Sequence, residues 1–130
     1  MRFMEKRSGI LKGAAHLFAA LRYSLHGLWH CAASSIAFRQ ECLVFLVLCA
    51  AAVFLPLKAV PPFLCLFFWL AVMALELLNS AIEETVDMIT KEFCEGAKRA
   101  KDMASAAVFV MVLFNIGVWL YVFYKDFYLG

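Results

Sequence analysis

Three apolar runs constrain this chain more than any other feature, because a helix needs about 20 consecutive apolar residues to cross a hydrocarbon core. Residues 42–57 form the first, which reaches spanning length when its helix starts near Ile36. Arg39 and Glu41 are then expected near the head groups, with the arginine stem able to snorkel. The second covers about 60–78 and opens with Pro61 and Pro62, which suit a turn or a first helical turn but not a helix interior. The third covers 103–123, with Ser105 and Asn115 as its marked polar positions. Hydrophobic residues make up 65% of the 130-residue chain and charged residues 17%, against about 45–50% and about 25% in soluble domains. A body this small cannot bury that surplus, so lipid is the expected solvent. The spans expected are about 36–57, 61–88 and 103–125, in a single domain over 1–130 without repeat, linker or low-complexity tract.

Charge sets the expected orientation, since short loops rich in Lys and Arg stay cytoplasmic. Arg2, Lys6, Arg7, Lys12, Arg22 and Arg39 precede or open the first span, and Lys91, Lys98, Arg99 and Lys101 lie between the second and third. The opposite side holds Lys58 and Lys125. The N-terminus and the 88–102 loop are thus expected inside. Residues 12–36 are not a signal peptide, because Arg22, His26 and His30 interrupt any apolar core and no clean cleavage site follows. At about 100° per residue, Leu17, Leu21, Leu25, Leu28 and Ala32 share a stripe, with Lys12, His16, His26 and His30 opposite. That pattern predicts an amphipathic helix on the membrane surface. The fold class expected is all-α integral membrane: one surface helix and three transmembrane helices. A net charge of +2 is too small to argue for nucleic acid. Five cysteines without a C-x-x-C pair exclude a zinc ribbon or disulfide scaffold.

The chemistry concentrates at the inner end of the second span. Glu76, Asn79, Ser80, Glu83 and Asp87 fall within an arc of roughly 100° at helical spacing, while Leu78, Ala81 and Ile82 keep the other side apolar. Ionisable groups at such a depth are costly and mark functional sites. The plainer reading is a span that ends at Leu75 and continues as a solvated helix. Carboxylates there suit a hard divalent cation such as magnesium, or a general base. Glu76, the deepest of the cluster, is the candidate base, and the shallower Glu83 suits a metal. Lys98, Arg99 and Lys101 are either positive-inside anchors or, with magnesium, holders of polyphosphate. Trp69 is expected to pack between helices, and Asn115 to form an interhelical hydrogen bond worth about 1 kcal/mol. His26 and His30 with Cys31 could pair on a metal, but no fourth ligand is near, and a wet helix face is the plainer account.

The run Glu76-Leu-Leu-Asn79-Ser-Ala-Ile-Glu83-x-x-Val-Asp87, then Glu92, then Arg99-Ala-Lys101-Asp102-Met-x-Ser105, strongly resembles the prokaryotic membrane diacylglycerol kinases. So do Ala37-Phe38-Arg39-Gln40-Glu41 and, on the surface helix, Tyr23-Ser24 with Gly27-Leu28. The resemblance covers roughly 16–125. It implies an inner-membrane kinase that moves the γ-phosphoryl of ATP to the hydroxyl of diacylglycerol, with magnesium, as a homotrimer with sites shared between subunits. By position it implies Glu76 as base, with Asn79 supporting it, and Glu83 on magnesium. Tyr23, Glu83, Glu92, Lys101 and Asp102 would lie near the nucleotide. Ala37, Phe38, Arg39, Gln40, Glu41, Glu76 and Ser105 would line the lipid region. The chain has no G-x-x-x-x-G-K-[ST] loop and no H-R-D or D-F-G element, which leaves neither a P-loop nor a protein-kinase mechanism.

Six residues before Glu41, where the family carries a glutamate that shares the magnesium, this chain has Ser35. A neutral hydroxyl is at best a weak ligand. Either Glu84 or Glu41 partly replaces the lost carboxylate, or water completes the shell. Phe93-Cys94 stand where relatives often have an aromatic residue and histidine, and His16 replaces a basic residue. The rival readings are an undecaprenol kinase of the same architecture and, on the strength of Ser35, a non-catalytic membrane scaffold.

Overall fold

A computed structural model describes residues 2–129, of which 2–12 and 14 are described by their backbone alone. The described residues form four helices: α1 (Arg2–Ser34), α2 (Ile36–Phe54), α3 (Pro62–Ile89) and α4 (Glu95–Tyr128). Among them there is no strand. Contacts divide the chain into two units, Met1–Ser34 and Ser35–Gly130.

The first unit is α1, which starts ten residues before the position expected of the surface helix and stops two residues earlier. Its stripe residues Leu17, Leu21, Leu25 and Leu28 are exposed, as a helix lying in a membrane interface requires.

Local chemistry sets the helix ends of the second unit. Ser35 has extended backbone (φ −90°, ψ 122°), and its hydroxyl accepts from the Phe38 amide at 3.1 Å, so it caps α2 instead of continuing α1. The first span was expected to run to residue 57. It ends at Phe54, because Pro56 drives Leu55 into extended backbone (φ −95°, ψ 142°). Pro62 occupies the first position of α3, where its missing N–H costs nothing. The segment 88–102, expected as an inner loop, is mostly helical. Only 90–94 leave helical conformation, and α4 begins at Glu95, eight residues ahead of the apolar run. Ala97, Ala100 and the Lys and Arg residues there are good helix formers, and the i,i+4 pairs Arg99–Glu95 (3.5 Å) and Lys98–Asp102 (3.0 Å) support the extra turns.

α3 packs against both α2 and α4. Its buried residues are Cys65, Trp69, Val72, Glu76 and Asn79, spaced four and three apart as one helix face demands. Cys65, Trp119 and Val122 form a core cluster, with Leu48, Ala51, Leu57, Val60 and Val118 packed around it. The Asp126 carboxylate accepts from the amides of Lys58 (2.8 Å) and Ala59 (2.9 Å), which ties the 55–61 connection to the end of α4. Asn115 donates through Nδ2 to the carbonyls of Phe68 and Met111, each at 3.1 Å, which is the interhelical bond expected of it. Trp69 is buried, and its indole N–H donates to the Glu41 carbonyl at 2.9 Å across α2 and α3.

Among the described residues, three helices are long and apolar enough to cross a membrane, and only 11%, 17% and 17% of their most apolar windows are buried within the chain. Water would not leave so much apolar side chain uncovered. The chain is a multi-pass membrane protein. α3 and α4 are about 42 and about 51 Å long at 1.5 Å per residue, against a hydrocarbon core of about 30 Å. One end of each therefore projects beyond its apolar run, and most of the charged residues of the two helices lie there.

Candidate active site

The buried face of α3 turns from apolar to polar along its length. Cys65, Trp69 and Val72 are followed on the same face by Glu76, Asn79 and then Glu83. Because this face packs inward, its first two polar residues are held inside the unit. Glu76 is 5% exposed, a position no carboxylate takes without partners. Each of its oxygens has one. The Ser35 hydroxyl donates to Oε1 at 3.0 Å, and Asn79 Nδ2 donates to Oε2 at 3.3 Å. The same Asn79 amide donates to Glu83 Oε1 at 3.4 Å, so it links the buried carboxylate to the exposed one a turn further on. Asn79 Oδ1 is buried and has no partner among the described residues.

Glu41 was expected among the head groups. The structure buries it within the unit, 9% exposed, on the face of α2 turned to Trp69, and its Oε2 has no partner among the described residues. Trp69 precedes Glu76 by two turns of α3, so the Glu41 carbonyl it holds lies further from the charged end than Glu76 does. The reason is the rotation of α2: Phe38 and Glu41, three apart, share its packed face, while Ala37, Arg39 and Gln40 are exposed. Ser105 on α4 is exposed as well. The residues expected to line the lipid region thus divide between an inward and an outward face.

At the projecting ends of α3 and α4, Lys101 Nζ meets Asp87 Oδ1 at 2.5 Å. Asp87 is one turn beyond Glu83 on α3, which brings the Lys101 ammonium to the acidic face. Asp102 pairs with Lys98 on its own helix. Glu92 is exposed in the 90–94 connection, where its amide donates to Thr90 Oγ1 at 3.2 Å. Glu84 lies on an exposed side of α3. Tyr23 belongs to α1, with the Arg22 guanidinium 5.6 Å from its ring centre.

Among the described residues, no group of three or more His, Cys, Asp or Glu side chains gathers to hold a metal ion. The oxygen donors nevertheless fit a hard cation. Magnesium is usually bound by one or two carboxylates, its remaining positions filled by water and phosphate. Glu83, exposed where the face opens outward, supplies one such carboxylate, and the partnerless Asn79 Oδ1 lies one turn before it.

Residues 22–123 match the model of the family described as prokaryotic diacylglycerol kinase. This chain belongs to that family. It is 41% identical to a diacylglycerol kinase of Haemophilus influenzae over 107 residues, covering 82% of this chain and 91% of the relative. It is 36% identical to that of Escherichia coli K12 over 115 residues, covering 88% and 94%. It is 37% identical to that of Helicobacter pylori J99 over 108 residues, covering 83% and 84%. A kinase family of this kind implies a lipid substrate, ATP and a divalent metal. The family match includes the whole acidic face of α3 and the Lys101 pair.

Helical spacing places Glu76, Asn79, Glu83 and Asp87 on one face, but three contacts lie beyond its reach: Ser35 with Glu76, Lys101 with Asp87, and Asp126 with the 55–61 connection. The first two join different helices, and no spacing within a helix encodes them. Asp126 carried a signal, as an acidic residue near the end of an apolar helix opposite a turn of unpaired amides.

Proposed function

We propose that this chain transfers the γ-phosphoryl group of ATP to the hydroxyl of diacylglycerol, giving phosphatidic acid and ADP. The observation that carries this reading is the buried Glu76 carboxylate at the lipid end of an acidic helix face, in a chain of this family. Glu76 accepts the hydroxyl proton as the lipid oxygen bonds to the γ-phosphorus and the bond to ADP breaks. Asn79 orients Glu76 and Glu83 together. Glu83, with Asn79 beside it, would hold magnesium, whose charge would neutralise phosphate oxygens. Lys101 exchanges Asp87 for the polyphosphate and adds positive charge there, which is most of what phosphoryl transfer asks of a protein.

Further parts of the reading rest on the family. Tyr23, Glu92 and Asp102 approach the nucleotide. Ala37, Phe38, Arg39, Gln40, Glu41 and Ser105 border the lipid. The enzyme is a homotrimer with shared sites in a bacterial inner membrane, its N-terminus and active site facing the cytoplasm, and nucleic acid is not a partner. The lysine and arginine distribution supports that orientation.

Purified protein in mixed micelles with labelled ATP separates the alternatives. Label in phosphatidic acid supports the proposal, label in undecaprenyl phosphate names the other acceptor, and none in either makes the chain a scaffold. Glu76→Gln, which keeps the shape but not the basicity, is expected to be inert beside an active parent. Full activity in that variant sinks the base assignment.

A further inference from the structure

Ser35 does two things with one hydroxyl. Its oxygen accepts from the Phe38 amide at 3.1 Å, which closes the first turn of α2. Its single proton goes to Glu76 Oε1 at 3.0 Å, on a helix 41 residues away in the chain. The two bonds constrain each other. Capping fixes where the serine Oγ sits, and from there the rotating hydroxyl finds Glu76 Oε1 as its acceptor. The far oxygen of Glu76 is held by Asn79. The carboxylate is thus gripped at both oxygens, from two different helices, and cannot turn about its own axis without losing a charge-assisted bond inside a buried site. Each oxygen keeps one further lone pair, which is what a base needs to receive a proton.

We infer that Ser35 is a positioning residue for the phosphoryl transfer: it docks the start of α2 onto the catalytic carboxylate and aims the free lone pair of Glu76 at the acceptor hydroxyl. This rests on the reading of Glu76 as base and adds a role for Ser35 other than that of a weakened metal ligand. A hydroxyl on the base acts on the chemical step alone. A hydroxyl on the metal would act on the magnesium requirement.

Three substitutions separate the capping role from the positioning role. Ser35→Thr keeps acceptor and donor. Ser35→Gly keeps most of the capping stability and loses the donor, and Ser35→Ala loses both. Each variant is purified in micelles, its thermal midpoint recorded, and its kcat, KM for lipid and half-saturating magnesium measured. The expected result is a fall in kcat of roughly 10- to 100-fold in both the glycine and alanine variants, with half-saturating magnesium unchanged. Threonine should restore most of the rate. Activity that follows the thermal midpoint, so that glycine stays near the parent while alanine falls, reduces Ser35 to a cap and overturns the inference. A shift in magnesium requirement with kcat intact overturns it in favour of a ligand role. Glu76→Gln is assayed alongside. If it retains activity the base reading fails and this inference with it. If it is inert while the glycine and alanine variants keep the parent kcat, the inference fails alone.

Discussion

Glu76 is an acid buried at the point where a helix face stops being apolar, and its neighbours explain how it stays there. Ser35 and Asn79 supply one donor to each oxygen, so the desolvation cost of the carboxylate is offset by bonds rather than by a buried cation. The cation of the site sits further out. Lys101 is about one-third exposed and pairs with the more exposed Asp87, a pair open to water and worth little to stability. That makes it easy to exchange for phosphate, a stronger partner for an ammonium group. Lys101→Ala is therefore expected to raise the KM for ATP by roughly tenfold or more while leaving the thermal midpoint in detergent near the parent value. Initial rates against ATP concentration, with a melting curve on the same preparation, check both halves.

Each long helix has a firm end and a working end. The firm end is where Cys65, Trp119 and Val122 meet and where Asp126 holds the amides of Lys58 and Ala59. The working end carries Glu76, Asn79, Glu83 and the charged turns that project past the apolar runs. Loss of the Asp126 clamp should loosen the first without touching the second. Asp126→Ala is expected to destabilise the bundle by about 1 kcal/mol, seen as a lower thermal midpoint, with activity per folded molecule kept at low temperature. A parallel loss of kcat at low temperature would instead mean that strain at the firm end reaches Glu76. At the working end, Cys94 is exposed just before α4, and the backbone N–H groups of Ala97 and then Gly96 hold its thiol below the usual range for cysteine. More of it is thiolate near neutrality than of an ordinary exposed cysteine, and thiolate is the reactive form.

That thiol reports on how the whole chain sits in its membrane. Cys42, Cys49 and Cys65 lie within apolar spans and Cys31 is buried, so a membrane-impermeant maleimide is expected to modify Cys94 rapidly in inverted vesicles and slowly in intact spheroplasts. The reverse pattern would invert the proposed orientation and place the acidic face outside. The uncovered apolar surface of α2, α3 and α4 also suits contact with lipid or with further copies of the chain. From the chain alone one reads the three spans, the surface helix and the grouping of Glu76, Asn79, Glu83 and Asp87, since helical period is a local property and each of these lies within one helix. The ends of the helices were less legible. Pro56 stopped α2 early and alanines extended α4, both through backbone preferences that hydropathy does not record. What only the tertiary structure decided is which helices meet at which residues: Ser35 on Glu76, Glu41 turned inward beside Trp69, and Lys101 opposite Asp87. Those meetings depend on the rotation and register of packed helices, which follow from the fit of many side chains at once and leave no period in the sequence.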